Sequence, residues 1–254
     1  MELQWPLILF TTFIAWSAGL FATQGAFALK GEAPKAQLPA LACSLVLMGV
    51  GGVAVFFHLQ HWERIFNGFG HLSSGITQEL ICIVLMVVAM VAFFVYLRRD
   101  EKMPKWAGWA AVAASALLVI VMGHSYMMAA RPGWNSVLEV CSLLGAACAM
   151  GPATMAVVAS FSSGAESDAF GTFNLGGSTA NAVFTVAYVA AMALASSSFT
   201  HVSYYFDPTL PTEPIVDPSA ITPFTGDALM PTVAAIVLVL AGLGAAFVGK
   251  KGGN

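Results

Sequence analysis

The sequence predicts an all-α fold: a polytopic membrane bundle of about seven transmembrane helices. Two observations predict it. Apolar residues (AVILMFWYC) make up 58 % of the 254 positions and charged residues only 9 %, with a mean hydropathy of +0.81. Soluble domains sit near roughly 45–50 % apolar and about 25 % charged. A soluble chain of this length cannot bury so much apolar surface while offering water so few charges. The composition therefore excludes a soluble enzyme, a nucleic-acid binder, a disordered protein and a disulfide-stapled secreted domain. The second observation is spacing. All the charges but Glu79 and Glu139 fall between apolar runs that are each close to the roughly 20 residues a helix needs to cross the hydrocarbon core.

Seven such runs occur, at 5–29, 38–59, 77–97, 106–130, 138–161, 173–198 and 230–249. The first opens Met1-Glu2-Leu3-Gln4, without a basic leader, and is too long for a signal-peptide core; it is expected to remain as a helix. The fifth and sixth carry Gly, Ser and Pro152, which membrane helices tolerate when neighbours satisfy the freed backbone groups. Gly171, Gly176, Gly177, Ser178 and Ala180 are candidates for close helix contact. A Pro-rich connection at 199–229 holds five prolines, four acids and no Lys or Arg. No internal repeat or second domain is visible, so residues 1–254 read as one integral membrane domain.

Basic residues set orientation. Eight of the ten Lys and Arg flank the spans on the side of Lys30, Arg98, Lys105 and Lys250, and only Arg64 and Arg131 lie on the other. This predicts an outside N-terminus, a cytoplasmic C-terminus and an outside 199–229 loop. Cys43, Cys82, Cys141 and Cys148 all lie in apolar stretches without CxxC spacing and read as packing residues.

Ionisable residues at membrane depth are expensive and point to function. Here they gather in the outer half: His58, His61, Glu63, Arg64 and His71 around the second connection, Glu79 at the start of the third span, His124 and Tyr126 near the end of the fourth, then Arg131, Trp134 and Glu139. All five histidines, His201 included, belong to this side. Such a cluster suits proton-coupled redox chemistry on a quinol. That substrate needs an apolar slot, hydrogen-bond partners at its two oxygens and groups that take protons as electrons leave. Structural readings stand beside this one. Trp62 and Trp134 fit an interfacial aromatic belt, Arg64 and Arg131 fit contacts to lipid phosphates, His61 and His71 fit solvated loops, and Glu139 fits a helix-N-terminal acid. His58 and Glu79 lie where burial begins. No histidine lies in the inner half, which excludes a transmembrane pair of haems. No P-loop or nucleophile elbow is present.

Three ordered motifs resemble a known family. Trp5-Pro6-Leu7-Ile8-Leu9-Phe10-Thr11 is similar to the WPLxxFT opening of the dimethyl sulfoxide reductase membrane anchor subunits. His58-Leu59, Arg64 and Phe66-Asn67, followed by Glu79, resemble that family's HLGxPxRAFN stretch and the acid after it. Tyr126 with Pro132-x-Trp134 resembles its VYN…PxW segment. Gln60-His61-Trp62-Glu63 replaces the family's Gly-x-Pro, and His124 stands where Arg is common.

The resemblance implies an anchor of a molybdoenzyme complex in anaerobic respiration, multi-pass in a prokaryotic cytoplasmic (inner) membrane. It implies menaquinol as bound substrate near the outer face and no cofactor held by this chain. It implies two partners, an iron–sulfur electron-transfer subunit and a molybdopterin catalytic subunit. By position, His58 and Glu79 would bind the quinol and accept protons, with Arg64 beside them. His124, Tyr126, Trp134 and Trp62 would line the slot. No metal site is expected. The alternatives are a purely structural anchor without quinol chemistry and a small-molecule permease.

Overall fold

The computed structural model describes residues 5–58, 67, 69–99, 103–128, 133–162, 169–195 and 222–252. Seven helices long and apolar enough to cross a membrane occur among them, and no strand. They are α1 (Trp5–Lys30), α2 (Pro34–Phe56), α3 (Gly75–Arg98), α4 (Lys105–Tyr126), α5 (Val137–Phe161), α6 (Ala169–Ala195) and α7 (Leu229–Gly252). Each overlaps one expected span. The protein is a multi-pass membrane protein.

The differences at helix ends have local causes. α2 begins at Pro34, a turn before the expected 38, because the backbone turns so tightly after α1. Gly31, at φ 73°, ends α1. Its N–H donates to Ala28 O at 3.1 Å, and Glu32 N–H donates to Phe27 O at 3.0 Å. This is the Schellman pattern, in which glycine takes the left-handed position at no steric cost. Ala33 is also left-handed, and Pro34 then starts α2 with φ already set and no N–H to satisfy. α2 stops at Phe56 rather than 59, leaving His58 just past its end. α4 stops at Tyr126 rather than 130, where Met127 turns extended at ψ 101°.

α1 is the hub, packed against α2, α4 and α5. α3 lies on α4, α6 on α5, and α7 on α6 at the periphery. α7 buries none of its residues, so its Val237, Leu238 and Phe247 are left for lipid. The hub works because its contacts are small. A Cβ on Gly19 would run into the Ala147 backbone, and one on Gly151 into the Gly19 backbone. The same device holds α6: a Cβ on Gly177 would strike Cys148 O. Of the expected small-residue contacts the bundle thus uses Gly177, and also Ala180, whose O would lie 3.2 Å from a Cβ on Gly145, whereas Gly176 has open space. In lipid there is no hydrophobic drive between helices, so close backbone approach and hydrogen bonds carry association.

Polar pairs join α1 to its neighbours. Ser17 Oγ donates to Ser44 O at 2.7 Å and Ser44 Oγ to Ser17 O at 2.8 Å. Gln24 Nε2 donates to Gln37 O at 2.6 Å, and Trp16 Nε1 to Thr154 Oγ1 at 2.7 Å. Both serines are fully buried. Ser17→Ala and Ser44→Ala are each expected to cost about 1 kcal/mol, with the double variant costing less than the sum because the two bonds are reciprocal. Unfolding by titration with a denaturing detergent measures this.

Candidate functional site

The alternation of helix direction brings the start of α1, the end of α2, the start of α3 and the end of α4 to one end of the bundle. They enclose a cavity of about 380 Å³, within the size range of small-molecule sites. Leu7, Phe10, Val55, Leu80 and Ile83 form its apolar wall, and His58, Glu79, Ser125 and Tyr126 supply its polar groups. A larger cavity, about 520 Å³, lies between α4 and α6 over α1 and α5, but no carboxyl or imidazole lines it.

Glu79 sits one turn inside α3 and is only 7 % exposed. Its partner is Ser125, whose hydroxyl is hydrogen-bonded to Glu79 Oε1. Ser125 Oγ also lies 2.8 Å from Met122 O. A hydroxyl carries one proton, so it cannot donate to both. With Glu79 ionised, Ser125 donates to the carboxylate. With Glu79 protonated, the carboxyl donates to Ser125 Oγ, which turns its own proton to Met122 O. Both charge states are therefore satisfied without moving a heavy atom. A residue that takes up and gives back a proton needs that property, because an unsatisfied buried carboxyl is costly in either state.

Gly75 makes the pairing possible. A Cβ there would lie 2.7 Å from Ser125 Cβ, so the first residue of α3 must be glycine for the two helices to meet. Gly75→Ala is expected to push Ser125 away from Glu79 and lower any turnover that uses this cavity severalfold, with the folded yield near normal. Steady-state kinetics of the assembled complex and detergent-phase yield together check it.

The other expected residues divide. His58 is exposed and lies on the cavity wall, with its N–H on Val55 O at 3.0 Å. Tyr126 is half-buried in the wall. His124, on the same turn of α4, is exposed and outside the lining, because successive helix residues point about 100° apart. Trp134 is half-buried in the turn before α5, also outside the lining. Arg64 and Trp62 fall outside the described residues. Ser125 escaped the sequence reading. Its only signal is its place between His124 and Tyr126, and a lone serine near a helix end is usually just bonded to its own backbone. Among the described residues no three His, Cys, Asp or Glu side chains form a metal-ligand group.

Residues 1–208 match the family model described as "DMSO reductase anchor subunit (DmsC)". The protein belongs to this family. The match takes in α1 to α6 and every residue of the cavity. A similar protein is one of the subunits of the anaerobic dimethyl sulfoxide reductase of Escherichia coli (strain K12), 35 % identical over 82 residues. That alignment covers 30 % of this sequence and 29 % of the relative's length. No solved structure matches. As a DmsC-family member, the protein carries its buried carboxyl–serine pair and its apolar cavity inside the portion that defines the family.

Proposed function

We propose that this protein is the membrane anchor of a DMSO-reductase-type molybdoenzyme complex and that it oxidises menaquinol in the cavity at Glu79. The observation that carries this reading is Glu79, buried at the wall of an apolar slot, with a hydroxyl partner that satisfies it both charged and neutral. Leu7, Phe10, Leu80 and Ile83 offer the slot for the ring. Glu79 receives the proton of one quinol hydroxyl, and His58, at the rim, hydrogen-bonds the other oxygen. Arg64 belongs to the same reading through its motif. Electrons pass to an iron–sulfur subunit, and a molybdopterin subunit reduces the terminal acceptor. The basic residues at the opposite helix ends favour an outer-face position for the cavity and a cytoplasmic C-terminus, in a prokaryotic inner membrane.

The test maps the substrate directly. The complex is purified in mild detergent with its partner subunits identified by mass spectrometry, then labelled with a photoreactive menaquinone analogue. Labelled peptides are expected from 71–83 and 121–128, and excess menaquinone should compete the label away. Label confined to other helices would overturn the site. Electron entry that needs no quinone at all would favour a purely structural anchor. Stable purification of the protein alone, at full yield, would favour a permease.

A further inference from the structure

The larger cavity, between α4 and α6, holds a polar group that the bundle leaves unmet. A hydroxyl inside a helix ordinarily donates to the carbonyl three or four residues back. Thr23 does so to Gly19 O, Ser142 to Glu139 O and Thr154 to Met150 O, each at 2.8 Å. Ser115 does not. It is 1 % exposed, and its Oγ has no hydrogen-bond partner among the described residues. An unpaired buried hydroxyl is costly, and this one lines a cavity of about 520 Å³, within the size range of small-molecule sites.

The place of the cavity restricts what can reach that hydroxyl. α1 and α5 form its floor, and α4 and α6 its two sides. Ser115 stands halfway along α4, on the face that meets α1: a Cβ on Gly25 would lie 2.9 Å from Cβ of Ala111, one turn before it. The cavity follows α1 from Ala18 to Ala26, about 12 Å at 1.5 Å per residue, so it runs from mid-membrane towards the Lys30 end. There Phe27 packs on Phe170 and Phe173, at centroid distances of 4.8 and 5.2 Å, and Lys30 Nζ lies 5.0 Å over the Phe173 ring. These rings stand between the cavity and the water at that end. A ligand therefore enters from the bilayer, between α4 and α6. Ala18, Ala22, Ala116 and Ala147 in the lining require it to be apolar along most of its length, and Ser115 requires a hydrogen-bonding atom at mid-membrane depth. Phospholipid chains carry none there, because their ester oxygens lie outside the hydrocarbon core. A quinone carries two ring carbonyls on an apolar body.

We propose that this cavity binds a second quinone molecule, in its oxidised form, with Ser115 Oγ donating to a ring carbonyl. The choice of a quinone rests on the quinol reading above, but the two cavities share no lining residue. Hydrogen bonding selects the oxidised form. A quinone only accepts, and Ser115 has a proton to donate. A quinol would bring two O–H groups to a lining with one unpaired buried oxygen among the described residues. No carboxyl or imidazole lines the cavity to take a proton, so the molecule held here is bound without being turned over.

The purified complex, labelled with the photoreactive menaquinone analogue, tests this. Labelled peptides are expected from 144–152 and 172–180 as well as from the Glu79 cavity, and excess menaquinone should compete both sets away. Ser115→Ala should weaken that competition at 144–152 and 172–180 about threefold to tenfold, the worth of one hydrogen bond, and leave it unchanged at 71–83. Gly176→Leu fills the cavity from a position with open space, and should abolish the label at 144–152 and 172–180 alone. Label there that survives Gly176→Leu, or that menaquinone competes equally well in Ser115→Ala, overturns the proposal. So does label that phospholipid displaces and menaquinone does not, which marks a lipid only. Label at 71–83 without label at 144–152 and 172–180 overturns this site while the quinol site stands; the converse overturns the quinol site and leaves this one.

Discussion

Glu79→Gln is expected to lower quinol-dependent turnover about a hundredfold, the low edge of what a positioned general base contributes, while the complex assembles normally. The amide keeps the volume of the side chain. It also keeps a hydrogen bond to Ser125, since the amide oxygen accepts from the hydroxyl or its NH2 donates to it. What it loses is the ability to take a proton. The loss should therefore fall on kcat. A reductant that feeds the soluble subunits directly should still drive acceptor reduction at the wild-type rate, which separates electron entry from the later steps. Asp at this position should do poorly for a different reason: one methylene shorter, it withdraws from Ser125 and leaves a buried carboxyl short of its partner. His58 is exposed at the rim, so His58→Ala should cost less than Glu79→Gln and act more on KM. Measured kcat and KM for the three variants, with the direct-reductant rate as control, settle the order.

The largest structural effect is expected at Gly19. Gly19→Leu should cost about 3 kcal/mol or more and reduce the folded yield in mild detergent to a small fraction of wild type. The reason lies in the hub. Gly19 meets the backbone of Ala147, and Gly151 meets the backbone of Gly19. Neither contact can yield by turning a side chain, because the atoms in the way belong to the main chain. A leucine there must push α1 and α5 apart. That also separates Trp16 from Thr154, one turn away on the same contact. Gly176→Leu, on open space, is the control and should be close to neutral. Thermal unfolding followed by tryptophan fluorescence compares the two.

Much of the architecture follows from composition and spacing. In a bilayer every backbone polar group must be satisfied within the segment, so an apolar run of sufficient length has essentially one conformation available to it. This is why all seven expected spans correspond to observed helices. Their ends were less legible. The start of α2 at Pro34 depends on two departures from ordinary helix geometry, at Gly31 and Ala33, and the stop of α4 at Tyr126 on an extended Met127. Neither leaves a mark in hydropathy.

The site divides the same way. Glu79 was legible because an acid in an apolar span needs a reason, and Tyr126 because it ends a span among other polar residues. What the sequence by itself determined is the number of spans, the end of the bundle where the ionisable groups gather, and the family motifs that pick out His58 and Glu79. Only the tertiary structure decided which of those groups share a cavity. It gave Glu79 its partner in Ser125, and it turned His124 outward one residue away. The physical reason is that hydropathy is a property of a segment, whereas a hydrogen bond depends on the rotation of one helix against another. Here that rotation is set by where a missing side chain, at Gly75 or Gly123, lets two helices touch.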